Sequence, residues 1–254
     1  MNATESASVA SPSEGHRGSA RAQTGQAVPK NSEGAAKGVV GWKGIAQSVL
    51  DEFAVTQGAA GWRVPYFDRE GTLHRVKLFA EDGEELERGG RSRWLGAKKP
   101  QIPYGTWRMV SADKRAIILT EGESDTWALA EAFPRVCALG IPGANSWNAA
   151  WAPLIGNEFD RIYLSFDNDR PNAQGKRPGR ELTDKVVADL PGRCRILPLP
   201  EGADTRALLQ RLGRDAWIAL RRCADASFDA MQAIDVLAGE SKIVHEVEEA
   251  WARG

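Results

Sequence analysis

Four short apolar runs mark the middle of the chain, and each breaks off in turn-forming or acidic residues instead of continuing into a helical repeat. They are Ala116-Ile-Ile-Leu-Thr120, Val136-Cys-Ala-Leu139, Arg161-Ile-Tyr-Leu-Ser165 and Cys194-Arg-Ile-Leu-Pro-Leu199. Continuous apolar runs of this length are expected of parallel strands buried on both faces. Helical patterns separate them, over Asp125–Ala132 and Glu181–Leu190, and a helical pattern runs from Ala207 to the end of the chain. Strands alternating with helices predict an α/β domain with a parallel sheet. Upstream, Trp42, Ile45, Val49, Leu50 and Phe53 recur at helical spacing, predicting a packing helix over Trp42–Gln57. The stretch Trp62–Phe79 reads as two strand-like runs around Asp68-Arg-Glu-Gly71, a hairpin with glycine in its turn. Near the C-terminus Phe228, Met231, Ile234 and Leu237 recur at three-residue steps and Ile243, Val247 and Trp251 at four, a pattern usual for core faces.

Two of the runs end in acidic clusters, which gives the strand pattern chemical content. The first ends in Glu121-Gly-Glu-Ser-Asp125 and the third in Phe166-Asp-Asn-Asp169. Open α/β sheets place their chemistry at the carboxyl ends of the strands. On an extended chain, Asp167 and Asp169 point to the same side, because strand side chains alternate. Three carboxylates at one sheet edge repel each other unless a divalent cation lies between them, and hard oxygen ligands of this kind favour Mg²⁺ with substrate phosphates completing its coordination. Taken singly, Glu-x-Glu or Asp-x-Asp is commonly a solvated turn or helix cap. The joint order of strand, Glu-Gly, helix, strand, Gly-rich turn, strand and Asp-x-Asp is what points to phosphoryl transfer.

Composition narrows the setting. The chain has 254 residues, 42% hydrophobic and 26% charged, as expected of a soluble globular protein of one large or two small domains. No apolar run approaches membrane-spanning length, and the N-terminus lacks the apolar region of a secretory signal. Cys137, Cys194 and Cys223 are isolated, which gives neither a disulfide framework nor a zinc site and suits a reducing cytoplasm. The net charge of −1 confines any nucleic-acid binding to local patches. Residues 1–40, poor in large apolar side chains, are expected to be a disordered arm, with His16, Arg17, Arg21 and Lys30 as scattered charge on a tether. In the stretch 88–108, Arg88, Arg91, Arg93, Lys98, Lys99 and Arg108 are interleaved with Trp94, Tyr104 and Trp107. Such interleaving suits single-stranded nucleic acid, and equally a solvated Gly-rich loop with core aromatics.

The motifs Thr120-Glu-Gly-Glu-Ser-Asp125, Gly140-Ile-Pro-Gly-Ala144 and Phe166-Asp-Asn-Asp169 resemble the Toprim domain of bacterial-type primases and phage helicase–primases. The resemblance covers about residues 61–212. It implies a Toprim domain (113–212) whose parallel sheet is flanked by helices, a preceding small α+β primase subdomain (41–112) and a following helical segment (213–254). It implies Glu121, Asp167 and Asp169 as the catalytic acidic set, holding Mg²⁺, or Mn²⁺, with Glu121 either a ligand or the acceptor of the attacking hydroxyl's proton. Asp125 and Asp204 fall at further acidic positions of the family's metal site. The residue two beyond Asp204 is Arg206, where the family has a second acid.

By the same resemblance, Lys77 matches a basic position of the nucleotide and template groove. Arg93 and Lys98 belong to the basic-aromatic segment before Toprim, with Trp94 and Trp107 read as core. In the insertion after Asp169, Arg180 begins the next helix as a phosphate or template contact, with Lys176 and Arg177 as weaker candidates beside the alternative of a surface loop. The implied partners are a single-stranded DNA template, nucleoside triphosphates and a separate replicative helicase docked by the terminal helix, since no Walker-type phosphate loop occurs in this sequence. The zinc module of the family is not seen. The implied activity is primer synthesis. The same carboxylates would also serve a Toprim nuclease, and a non-catalytic replication or regulatory protein is the third alternative.

Overall fold

The computed structural model describes residues 39–253 apart from 82–83, 87–89 and 231–236, so the arm candidates, Arg88, Met231 and Ile234 lie outside the described residues. Two sheets organise it. The first is antiparallel, ordered β1 (Thr56–Gly58), β2 (Gly61–Phe67), β3 (Leu73–Phe79) and β4 (Ser92–Leu95). Asp68 closes the β2–β3 turn, its Oδ1 accepting the Thr72 amide at 2.8 Å. Pro65 falls where β2 has run past the end of β1, so its missing N–H costs that side no ladder bond.

The second sheet is parallel throughout, ordered β6-β5-β7-β8 from β5 (Ala116–Thr120), β6 (Cys137–Gly140), β7 (Arg161–Ser165) and β8 (Cys194–Ile196). The chain leaves β5 for β6 on one side and returns to the other side with β7, so the order reverses between β5 and β7. Crevices at such reversals are where open parallel sheets bind ligands. Side chains alternate across this sheet. Ile117, Leu119, Ile162 and Leu164 face α3 (Trp151–Gly156) and α4 (Pro178–Asp189), while Ile118, Ala138 and Tyr163 face α2 (Glu123–Ala132), α5 (Thr205–Ala230) and α6 (Leu237–Arg253). Each fully buried aliphatic side chain of these two layers contributes roughly 1.5–3 kcal/mol.

A third cluster joins the two sheets. Trp42, Phe53, Val64, Tyr66 and Tyr104 pack on Trp127, Ala128 and Ala130 of α2, and the Trp127 indole donates to the Tyr104 hydroxyl at 2.8 Å. Outside this core, Glu158 accepts from both Arg69 of the hairpin turn and Lys114 ahead of β5. The packing therefore continues unbroken across the boundary expected at 112/113.

The structure departs from the sequence pattern at several element ends. The helix expected over Trp42–Gln57 is a 3-10 turn at Trp42–Gly44 and a helix, α1, over Gln47–Glu52. Ala54 turns the chain with φ of 53°, and Thr56–Gly58 becomes the edge strand β1. The run Ser92–Leu95 is a strand, since pairing with β3 decides its state where local composition reads as loop. The fourth parallel strand ends at Ile196, short of Leu199. The C-terminal helical run is two helices, and α5 is kinked at Gly213, whose φ of 77° and ψ of −174° no helix accommodates. No helix among the described residues is long and apolar enough to cross a membrane.

Candidate metal centre at the carboxyl edge of the sheet

β5 and β7 run side by side, and the chain just beyond each carries the acidic residues. Glu121 comes directly after Thr120. Gly122, next in line, has φ of 122° and ψ of −178°, a conformation open in practice to glycine alone, and it turns the strand into α2 within one residue. Thr126 braces that turn by donating to the Gly122 carbonyl at 2.9 Å. Asp167 and Asp169 lie beyond the end of β7 at Ser165, so a loop rather than a pleated strand sets their common direction. The first turn of α4 fixes this loop: a Cβ on Gly179 would come within 2.0 Å of the Asp167 carbonyl oxygen.

One carboxylate oxygen from each of Glu121, Asp167 and Asp169 lies within 4.8 Å of the others. At that separation two full charges repel by roughly 3 kcal/mol at an effective dielectric of about 20. The Glu121 carboxylate accepts the Asp167 amide. Even so, Glu121 Oε2 and Asp167 Oδ1 are buried with no hydrogen-bond partner. Burial, and next the Asp169 charge, push the Glu121 carboxyl up from 4.5 to about 7. Asp167 is raised further, by burial first and then by the charges of Asp125, Glu121, Asp204 and Asp169. Orphaned carboxylate oxygens this close together fit a divalent cation with oxygen preference.

Asp125 and Asp204 stand outside this trio. Asp125, in the first turn of α2, is buried and accepts the Arg206 amide at 2.8 Å; burial and the Asp204 charge raise its pKa. Asp204 caps α5 by accepting the Ala207 amide, and its other oxygen lies 3.5 Å from the Arg206 guanidinium. A cation thus occupies the neighbourhood of Asp204.

Lys77, on β3, reaches into the same edge, and its ammonium pairs with Glu123 at 2.9 Å with both side chains largely buried. Tyr66 donates to the same Glu123 oxygen. Arg93 pairs with Leu78, one position along from the Lys77–Trp94 pair, so it faces away from Lys77 on the other side of the antiparallel sheet. The side chain sharing the Lys77 face is Arg75, stacked over Trp94 with its guanidinium carbon 4.6 Å from the ring centroid. Lys98 is exposed beyond β4, and Lys176 is exposed in a turn closed by Asn172. Arg180 is exposed and pairs with Asp184 one helical turn on. In that insertion it is Arg177 that touches the site, donating to the Asp169 carbonyl at 3.2 Å and to Glu201 at 3.0 Å.

Glu123 stands inside the Thr120–Asp125 motif but had no role assigned to it, Arg177 was named only as a weaker phosphate or template candidate, and Arg75 was not singled out. The signal for Arg75 lay in the hairpin, whose alternation puts Val64, Tyr66, Arg75 and Lys77 on one face. The C-terminal stripe turns inward: Val247 is buried, Trp251 packs on the same cluster, and the side chain of Ile243 lies outside the described residues.

No family model matches the chain. It is 33% identical over 102 residues to the gene 57 protein of Mycobacterium phage D29, a match covering 40% of this chain and 60% of that protein. The chain therefore spans less than two thirds of that relative. Among solved structures, the Aquifex aeolicus primase (zinc-binding and RNA polymerase domains) superposes with a TM-score of 0.59 at 14% identity, covering 82% of this chain and 65% of that one. The primase domain of bacteriophage T7, in complex with its lagging-strand DNA polymerase, an RNA/DNA hybrid and dTTP, gives 0.54 at 19% identity over 69% of this chain and 86% of that one. A DnaG primase catalytic domain bound to single-stranded DNA gives 0.52 at 18% identity, over 73% and 62%. The fold is that of bacterial and phage primase catalytic cores, as the Thr120–Asp125 and Phe166–Asp169 motifs led one to expect.

Proposed function

We propose that the chain is the catalytic core of a DNA primase, joining nucleoside triphosphates into short primers on a single-stranded DNA template during phage or mobile-element replication. The observation that carries this reading is the convergence of Glu121, Asp167 and Asp169, two of them with orphaned buried oxygens, at the strand-order reversal of a primase-core fold. These three carboxylates would hold Mg²⁺, or Mn²⁺ in its place. When bound, the ion supplies positive charge to offset that developing on the transferred phosphoryl and the leaving pyrophosphate.

The residues around that ion have separable tasks. Glu121, with its carboxyl raised to about 7, is also suited to accept the proton of the attacking 3′-hydroxyl. Asp125 and Asp204 add negative charge behind the trio, with Arg206 offsetting part of it. Lys77 is held by Glu123 at the wall of the site, and Arg75 on the same face offers a guanidinium to template or triphosphate. Lys98, Lys176 and Arg180, all exposed, would attract the template electrostatically, and Arg93 would do so only from the outer face of its sheet. Helicase association through α6 would have to use a surface other than Val247 and Trp251, which are packed inward.

The test is incubation with single-stranded DNA, labelled nucleoside triphosphates and Mg²⁺ or Mn²⁺, with Asp167→Ala alongside and products resolved by length. Short new strands that disappear in the variant are expected. A shortened template would establish the nuclease instead, and intact DNA binding with neither product would establish the non-catalytic reading.

A further inference from the structure

The parallel sheet has a second edge, and the primase chemistry leaves it unused. At the amino ends of β5, β6 and β7 lies a cleft of about 810 Å³, floored by Ala116, Val136 and Cys137. Five residues of strand at about 3.3 Å each place it about 16 Å from the carboxylate edge. Five arginines line it: Arg108 from the turn before β5, Arg115 beside β5, Arg135 before β6, Arg161 opening β7, and Arg221 from α5. Among the described residues, the only carboxylates in its lining are Glu52 and Asp113. In a chain of net charge −1, a single cleft with five guanidiniums against two carboxylates is a strong local concentration of positive charge.

The two carboxylates are already engaged, Glu52 with Arg108 and Asp113 with Arg115. Arg221 sits 3.9 Å from Asp225 outside the cleft. Arg135 and Arg161 are exposed on the rim, Arg161 also bonding the Tyr163 hydroxyl. Arginine in such numbers fits phosphate oxygens, which its planar fork meets two at a time. The aromatic surface that a nucleobase would need is committed elsewhere, because Trp107 packs edge-on against Phe53, Phe67 and Tyr104, while Tyr163 is buried with its hydroxyl donating to Asp225. An open trough with phosphate-binding groups and no free stacking ring suits an extended phosphodiester backbone better than a mononucleotide.

We propose that this amino-edge cleft is a second nucleic-acid site, binding the phosphate backbone of single-stranded DNA through Arg135 and Arg161 with Arg115 and Arg221 in support. The site does not depend on the chemistry at the carboxylates, so it is tested without synthesis. Fluorescence anisotropy would measure affinity for a labelled oligothymidylate in EDTA over a series of salt concentrations. The variants are Arg135→Ala/Arg161→Ala, the matched pair Lys185→Ala/Arg253→Ala on exposed helix surfaces away from the cleft, and Arg135→Lys/Arg161→Lys.

Losing two phosphate contacts should make the slope of log affinity against log salt shallower by about 1.4, at about 0.7 per contact on a single strand. Affinity at low salt should fall by about tenfold in the cleft variant, stay near wild type in the matched pair, and recover in large part with lysine. Equal losses in cleft and matched variants would overturn the proposal, because the effect would then be net charge alone. So would unchanged DNA binding with weakened binding of a nucleoside triphosphate, which would make the cleft a nucleotide site. Thermal melting of each variant guards against a folding defect, and Arg135→Glu alone, at an exposed position, supplies the same slope measurement if the double variant melts early.

Discussion

The two edges of one parallel sheet carry opposite charge and solve the cost of that charge in opposite ways. At the carboxyl edge Glu121, Asp167 and Asp125 are largely buried, repel each other and leave two oxygens without partners. At the amino edge Arg115, Arg135 and Arg161 are exposed at a cleft surface, and Arg115 is paired with Asp113. A charge left unsatisfied in the interior is expensive, and it persists where a bound ion makes use of it. A charge at the surface costs little and can serve a partner that comes and goes. Substitutions of the carboxylates at the first edge should therefore change stability and activity in opposite directions, and those of the arginines at the second should change binding alone.

The largest expected effect is at Asp167. Asp167→Asn should lower primer synthesis by roughly a thousandfold, equivalent to about 4 kcal/mol of barrier. In EDTA at neutral pH the same variant should melt at a higher temperature than wild type, because folding the wild type takes up a proton at Asp167 or holds a repelled charge there, and asparagine does neither. Melting curves with and without Mg²⁺ check this: the ion should stabilise wild type and leave the variant almost unmoved. A variant less stable than wild type in EDTA would break the contrast between the edges.

Next in size is Lys77. With Lys77 and Glu123 both mostly buried, Lys77→Met leaves a carboxylate in the interior without its cation and should cost about 3–5 kcal/mol in urea denaturation. Glu123→Gln added to Lys77→Met should recover most of that loss, since the double variant has no unpaired charge. Full additivity of the two single losses would mean that the pair is not coupled. This pair also shows what the sequence conceals. The strands β5 to β8, the two acidic motifs and the hairpin were legible from local runs, because each is a contiguous apolar stretch with a sharp end. The Lys77–Glu123 contact joins residues 46 apart in the chain, and strand β4 exists only by pairing with β3. Arg93 was legible as basic but not as facing away, since its direction depends on the register with Leu78. The carboxylate trio was legible because both its loops leave adjacent strands. Arg177 was legible as a basic candidate of the insertion but not as a group that turns back onto the Asp169 carbonyl, because a surface insertion reads alike whether it folds back or not.

Glu121, together with Asp167 and Asp125, contributes to the pH dependence of the metal-free protein. Its carboxyl is raised from 4.5 to about 7, so the native state holds the proton more tightly than the unfolded chain does. That stabilisation is complete below about pH 4.5 and lost as pH rises through about 7, amounting to about 3 kcal/mol. Asp167 and Asp125 are shifted in the same direction. In EDTA, melting temperature should therefore fall between pH 5 and pH 8, and Glu121→Gln should fall less steeply. With saturating Mg²⁺ the wild-type slope should flatten or reverse, because the ion favours the ionised carboxylates.

The smallest effect separates position from stability. Arg177 is 39% exposed, and its pair with Glu201 is a surface pair, so Arg177→Ala should cost at most about 1 kcal/mol in denaturation. Its other contact is the Asp169 carbonyl, which fixes the backbone of one proposed ligand. Groups that orient a ligand from behind typically change metal affinity by about 10–100-fold when removed. Synthesis followed against Mg²⁺ concentration should then show a requirement raised by about tenfold, with activity at saturating Mg²⁺ close to wild type. Arg177→Lys, which keeps the charge but loses the forked reach to both Glu201 and the carbonyl, should fall between the two. If Arg177→Ala instead lowers the saturated rate and leaves the Mg²⁺ requirement alone, the arginine acts on substrate, and the insertion belongs with the template contacts rather than with the carboxylate edge.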